Sequence, residues 1–270
     1  MARIIGSPSR YIQGKGTLAE ITKYTERLGK KLLILVSKSG KKRVEEKINK
    51  AVEGTDTTVV WEIFNGECSK SEVNRIGENL KKEKCDVVVG IGGGKILDTA
   101  KAVAYYEDIA VVCVPTAAST DAPCSALSVL YTDDGQFDEY LWLPANPDII
   151  LLDTDIIVAA PVRLIVSGMG DALATYFETR ACMRSNTTSC MGGSVSKTAM
   201  ALSELCFKTL MEDGAKALLA VNAGACTPAV ENIIEANTYL SGIGFESGGI
   251  AAAHAIHNGL TCIEETHGMY

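Results

Sequence analysis

The residues with the most chemistry to offer are few. Asp171 follows Gly168-Met169-Gly170 and leads into an apolar run. A carboxylate in apolar surroundings is costly unless it is paired or holds a metal. The plainer alternative is an N-cap for a helix that starts after the glycines. The histidines are His254, His257 and His267. His254 and His257 stand at i and i+3 of a helical stretch and share a face. Their small neighbours, Ala251-Ala252-Ala253 and Ala255, leave room for something to approach. Asp and His with an open position make a catalytic zinc arrangement; a hydrogen-bonded core histidine is the plainer reading.

A second kind of chemistry is phosphate binding. Asp86-Val87-Val88-Val89 reads as a buried strand, and Gly90-Ile91-Gly92-Gly93-Gly94-Lys95-Ile96-Leu97-Asp98 follows it. Glycines let backbone approach a ligand, and the next helix points free N–H groups and a positive dipole end at it. The turn is not a Walker A loop, because Gly90 and Gly94 are too close and Ile96 follows Lys95. It also fails G-x-G-x-x-G, which would need glycine or alanine at Lys95. Asp98 is either a hydrogen-bond acceptor for a cofactor amide or sugar, or a first-turn acid that suits the helix dipole. Thr116, Ser119, Thr120 and Ser125 form a hydroxyl-rich loop around Asp121. It could hold phosphate or ribose, and it could equally be turn chemistry.

The elements that position these residues alternate. Strand patterns at 31–36, 57–64, 86–89 and 109–114 are separated by helical patterns at 17–28, 42–52 and 70–84. Near-continuous apolar strands in such alternation mean a parallel sheet covered on both faces, with ligands beyond the strands' carboxyl ends. Residues 3–5 and 11–13 read as an extended pair. A hairpin spans 127–143, and a last strand spans 148–153. After Pro161 strand signals vanish. Helices are expected at 162–180, 195–211, 214–221, 227–241 and 250–261. The expected fold is an α/β N-terminal domain with a Rossmann-like parallel sheet (1–158) and an all-helical C-terminal domain (159–270).

Bulk numbers narrow the classes. The chain has 270 residues, 47% of them apolar, which is enough for a large core. It carries 26 Lys+Arg against 33 Asp+Glu, a net charge of −7, which argues against nucleic acid or an anionic membrane as partner. Nine cysteines with no C-x-x-C pair suit buried, reduced thiols in a cytoplasmic protein. Met1-Ala2-Arg3-Ile4-Ile5 does not open a secretory signal, and no apolar run approaches the ~20 residues of a membrane helix.

Together the motifs at 90–98, 115–121, 168–178 and 242–259 resemble the glycerol dehydrogenases of the iron-containing alcohol dehydrogenase superfamily. The first motif is shared across the superfamily, and the last two are more specific. The resemblance implies oxidation of glycerol, or a similar small polyol, to dihydroxyacetone, with NAD and Zn2+ as cofactors and a homo-oligomeric enzyme. Gly93, Gly94, Lys95 and Asp98 would bind NAD, and Thr116, Ser119, Ser125, Leu127 and Tyr131 would line its cleft. Asp171 and His254 would hold the zinc between the two domains. Asp121 would contact the polyol and Phe245 would lie on the substrate side, so that Asp121, Asp171 and His254 form the catalytic set.

Two departures from the family stand out. Its usual Asp after the second strand is Ser37 here. Serine still hydrogen-bonds ribose, but the charge that repels a 2′-phosphate is gone, so NAD and NADP both stay open. The family's third zinc ligand is the second His of a motif like His-Gly-x-x-His-Gly-Glu. This sequence reaches its start, His267-Gly268-Met269-Tyr270. The expectation is a truncated chain with two of three ligands and an incomplete helical domain. The alternatives are an inactive fragment that binds nucleotide only, or a glycerol-phosphate dehydrogenase. A phosphorylated substrate needs basic residues near the metal, and none flanks Asp171 or His254 in their motifs.

Overall fold

The computed structural model describes residues 1–260 and residue 263. They form two compact units. One is residues 8–117 and 126–157; the other is residues 1–7, 118–125 and the chain from 158 onward. The single boundary expected at 158/159 is therefore crossed twice, by the N-terminal segment and by the loop that carries Asp121.

The first unit is α/β. Its strands are β1 (Arg10–Gly14), β2 (Lys31–Val36), β3 (Thr58–Ile63), β4 (Val87–Gly92), β5 (Ala110–Pro115), β6 (Leu127–Tyr131), β7 (Phe137–Trp142) and β8 (Ile149–Asp153). Six of them form one parallel sheet in the order β1-β8-β5-β4-β2-β3, and β6-β7 is a separate antiparallel hairpin. The helices are α1 (Ile21–Thr25), α2 (Lys38–Val52), α3 (Lys70–Glu83), α4 (Gly94–Glu107) and α5 (Thr154–Val158). Every residue of β4 is buried, as a central strand covered on both faces requires. Val44 and Ile48 of α2, and Val73, Ile76 and Leu80 of α3, supply the apolar stripes.

Register then sets the ligand edge. Val36 pairs with Ile91 and Gly92 with Pro115. Ser37, the glycine turn and Thr116 therefore emerge side by side at the carboxyl ends of three neighbouring strands. One expected pairing is corrected: residues 11–13 do not pair with 3–5. β1 instead lies parallel to β8 at the sheet edge, and Arg3, which groups with the helical unit, bridges to Ser194 of that same unit.

The second unit is helical: α6 (Val162–Ser185), α7 (Lys197–Asn222), α8 (Pro228–Glu235), a π-helical turn (Ala236–Leu240), α9 (Ser241–Gly248) and α10 (Ala252–Leu260). α7 runs unbroken through Gly214, where two helices were expected. An internal glycine costs about 1 kcal/mol of helix propensity, and burial of Leu210, Ala217 and Val221 on the same helix outweighs it. Residues 228–248 form one continuous helical stretch with the π turn inside it. The stretch stops at Gly249, whose φ of 88° suits glycine. Among the described residues no helix is long and apolar enough to cross a membrane.

Candidate active site

The helical unit brings Asp121, Asp171 and His254 together. Asp171 lies in the third turn of α6, well past the helix start at Val162, so it is not an N-cap. Gly168, one turn earlier, explains its setting. A Cβ there would overlap the Ala118 carbonyl oxygen and sit 2.5 Å from Asn237 Nδ2. α6 therefore lies flush against the 118–121 loop. Asn237, in the π turn, fastens both sides by donating to the carbonyls of Ala118 (2.9 Å) and Ile165 (3.0 Å). The Asp121 N–H then points at Asp171 Oδ2, 3.4 Å away.

His254, on α10, is held from two sides. Its Nε2 stands 3.5 Å from Asp171 Oδ1, and its Nδ1 is 2.5 Å from Glu178 Oε2. Glu178 is two turns beyond Asp171 on α6, so both carboxylates share a face. The other Glu178 oxygen accepts from the N–H groups of Ala251 (2.8 Å) and His254 (3.0 Å). One buried carboxylate thus caps α10 and orients the imidazole that α10 carries. α10 itself has no buried residue, so this carboxylate supplies much of its attachment.

Electrostatics follow from that crowding. Hydrogen bonding to Asp171, then to Glu178, raises the His254 pKa to about 10. Burial, then the neighbouring Asp171 charge, pushes the Asp121 carboxyl well above its usual range. The Ser241 hydroxyl, 2.5 Å from Asp121 Oδ2, works against that rise. Burial alone would raise Glu178, but the bonds from His254 and Ala251 outweigh it and hold it low. Three carboxylates surround one imidazole, and the leading charges acting on Asp121, Glu178 and His254 come from this group.

This donor set fits a cation. Asp171 supplies a carboxylate and His254 a ring nitrogen, and Glu178 holds the other ring nitrogen, as metal-binding histidines are usually held. Nitrogen and oxygen donors suit zinc or iron. Among the described residues no group of three or more His, Cys, Asp or Glu is arranged to hold a metal, so the chain offers a pair of ligands there. His257, one turn after His254, is exposed and does not join them. His267 lies outside the described residues. Phe245 sits partly buried on α9.

The α/β unit holds the glycine turn, and its glycines divide by role. A Cβ on Gly90 would be 2.7 Å from the Ala100 Cβ, and one on Gly92 would be 2.5 Å from Ile96 Cδ1. These two let α4 pack on β4. Gly93 and Gly94 face open space and begin α4, where free N–H groups suit a phosphate. Lys95 bonds Glu67 (2.6 Å) and stands 5.3 Å from the centre of the Tyr131 ring. Ser37 caps α2, its Oγ accepting from the Gly40 N–H at 3.0 Å. The Thr116 N–H donates to the Gly92 carbonyl at 3.1 Å. Asp98 is buried, with Oδ1 2.9 Å from Lys101 Nζ and Oδ2 accepting from the Val129 N–H at 3.2 Å. Leu127 and Tyr131 lie on the half-open face of β6. Ser119 and Ser125 belong to the 118–125 segment, which groups with the helical unit.

Sequence reasoning missed Glu178, Ser241, Asn237, Glu67 and Lys101. Glu178 had a usable signal, its spacing from Asp171 along one helix face. Lys101 stands one helical turn from Asp98, and Ser241, Asn237 and Glu67 act through contacts distant in sequence and had no such signal.

Comparison with known proteins places this geometry. The family model for iron-containing alcohol dehydrogenase matches residues 8–154. A glycerol dehydrogenase from Escherichia coli O6:H1 is 50% identical over all 270 residues, which span 74% of that protein. One from Thermotoga maritima is 52% identical over 260 residues, 96% of this chain and 71% of the relative. The crystal structure of a probable glycerol dehydrogenase from Sinorhizobium meliloti 1021 superposes with a TM-score of 0.92 at 44% identity. It covers 100% of this chain and 74% of that one. The chain belongs to the iron-containing alcohol dehydrogenase family, and its class is NAD-dependent alcohol or polyol oxidoreductase.

Proposed function

We propose that this protein oxidises glycerol, or a polyol of similar size, to dihydroxyacetone, with zinc as the metal and NAD as the hydride acceptor. The observation that carries the reading is His254 held between Asp171 and Glu178, with its Nε2 turned to the Asp171 carboxylate. Glycerol dehydrogenase relatives at 50% identity favour the same substrate. Asp171 and His254 would hold the zinc. When bound, zinc would acidify the substrate hydroxyl and NAD would take the hydride.

The chain's own residues do the rest. Asp121, held by Ser241, accepts a hydrogen bond from a polyol hydroxyl, and Phe245 borders the substrate. Gly93 and Gly94 give backbone N–H groups to the pyrophosphate, Lys95 adds a positive charge and Ser37 bonds the adenosine ribose. Asp98, Thr116, Ser119, Ser125, Leu127 and Tyr131 complete the cofactor contacts. Uncharged glycerol suits the site better than glycerol phosphate, because the leading charges on Asp121, Glu178 and His254 come from carboxylates and one imidazole, and carboxylates repel a phosphate. The reduced state of the eight described cysteines favours the cytoplasm.

The test is NADH formation by the purified chain, stripped of metal and reloaded with zinc or ferrous iron. Glycerol with zinc should give turnover that Asp171→Ala and His254→Ala abolish. NADH binding with no turnover on any metal would support the nucleotide-binding alternative instead, and preference for glycerol phosphate would overturn the substrate.

A further inference from the structure

We infer that Lys101 is a positioning residue for cofactor binding, a buried cation that fastens the β6–β7 hairpin to the helix beginning at the glycine turn. The inference rests on the reading above that the turn and the half-open face of β6 receive NAD.

Lys101 is among the largest wholly buried side chains of the chain, with none of its side chain exposed. Lysine is almost never fully buried without a partner, because an unpaired charge away from water is costly. Here the charge is answered twice. Nζ lies 2.9 Å from Asp98 Oδ1 and also donates to the Leu127 carbonyl. Asp98 continues the connection, because its Oδ2 accepts from the Val129 N–H at 3.2 Å and its carbonyl accepts from the Ser128 hydroxyl at 3.0 Å. A single turn of α4 therefore grips three consecutive residues of β6, two of them through the backbone.

That grip decides which way β6 faces. Ser128 and Leu130 are buried, whereas Leu127, Val129 and Tyr131 lie on the half-open face. Slippage by one residue would exchange the two faces and carry the Leu127 carbonyl away from Lys101. A two-stranded hairpin has little stability of its own, and β7 is mostly exposed, so the hairpin takes its position from its neighbours: α4 holds residues 127–129, the Tyr131 N–H donates to the Cys68 carbonyl at 2.8 Å, and Lys70 pairs with Asp138 and Glu139. A methionine at 101 would fill the same space without choosing a register. The buried ammonium chooses one, and it joins the glycine turn and the hairpin into a single cofactor-holding body. The same alternation places the Val129 side chain on the cofactor-facing side with Leu127 and Tyr131.

The test uses the full chain with Lys101→Met, Ser128→Ala and, as the conservative variant, Lys101→Arg. NADH affinity is read by fluorescence, turnover at saturating NAD by absorbance, and hydrogen exchange at the 127–131 amides by mass spectrometry. Lys101→Met should weaken NADH binding by about tenfold or more and speed exchange at 127–131, and Lys101→Arg should recover part of both. Turnover at saturating cofactor should stay within about threefold, because the metal site is untouched. Ser128→Ala leaves both charges in place and should give a smaller shift in the same direction. A folded Lys101→Met protein with unchanged NADH affinity and unchanged exchange overturns the inference. If Lys101→Met does not fold, Ser128→Ala decides by the same two readouts. If the parent chain binds no NADH, the cofactor reading fails by itself. Hydrogen exchange then still judges the latch, and unchanged 127–131 amides reject it.

Discussion

Buried charge is handled differently in the two units. In the α/β unit the buried acids meet cations: Asp98 meets Lys101 (2.9 Å), Glu62 and Glu72 meet Arg75 (2.6 and 2.8 Å), and Asp153 meets Lys47 (3.2 Å). Around His254 in the helical unit, three carboxylates share one imidazole. The first arrangement is complete without a ligand, so its charges hold elements in place and leave binding to exposed backbone at Gly93 and Gly94. The second crowds carboxylates around one imidazole, and a bound cation would relieve that crowding. On the function proposed above, one unit would offer a phosphate its backbone and the other would offer a metal its side chains.

The sharpest way to break that contrast is at Glu178. Glu178→Ala removes the bond to His254 Nδ1 and both bonds to the start of α10. Zinc affinity, measured by competition with a chromophoric chelator, should fall about 100-fold, at the upper end for a lost orienting partner. NADH affinity should not change. Equal zinc affinity in the variant would mean that neither the orientation of His254 nor the Glu178 charge makes the site.

Glycines give the next contrast. Gly168→Ala forces a methyl group into the Ala118 carbonyl, which is backbone and cannot step aside. We expect a loss of about 1–3 kcal/mol in denaturant titration, as for other overpacked sites. Gly94→Ala meets nothing within 4 Å and begins a helix, so stability should hold or rise by up to ~1 kcal/mol. Its NADH affinity should nevertheless drop, because the methyl group occupies the space a phosphate would take. If both variants lose only stability, the glycine turn is packing alone.

How much of this was readable beforehand depended on range. The parallel sheet was legible because β4, β5 and all of β2 after Lys31 are apolar and separated by helices. Asp121, Asp171 and His254 stood out as polar groups among small or apolar neighbours. Glu178 did not, because its one signal, the spacing from Asp171 along a helix face, is shared by many surface acids until α10 is docked on it. The pairing of β1 with β8 joins strands far apart in sequence, and residues 3–5 offered a local partner that the structure does not use. The π turn was hidden for a similar reason. Asn237 and Ser241 read as ordinary helix residues, and their significance comes from the 118–121 loop they hold.

Ser37 tests the α/β side of the contrast with a smaller expected effect. Its hydroxyl caps α2 through the Gly40 N–H, and aspartate caps a helix equally well. Ser37→Asp should therefore leave the melting temperature unchanged. It adds a negative charge at the carboxyl end of β2, beside the glycine turn, where a ribose 2′-phosphate would be repelled. The ratio of NADP to NAD in kcat/KM should fall about tenfold. An unchanged ratio would mean that the adenosine ribose does not lie at this strand end.

The smallest effect is also the one that asks whether the units respond separately. Cys113 in β5 and Cys206 in α7 are both buried, and burial pushes each thiol up to about 12. The thiolate is the reactive species, so below about pH 9 a thiol reagent reaches either residue only when its unit opens. Their labelling rates should rise with pH as an ordinary exposed thiol titrates, near 8.5, whereas the exposed Cys226 labels at once. Cys206 bonds the Ala172 carbonyl next to Asp171, so zinc should slow its labelling a few-fold and leave Cys113 unaffected. NADH should do the reverse. Equal slowing of both thiols by either ligand would show that the units open together, and the contrast in buried charge would then describe two faces of one cooperative body.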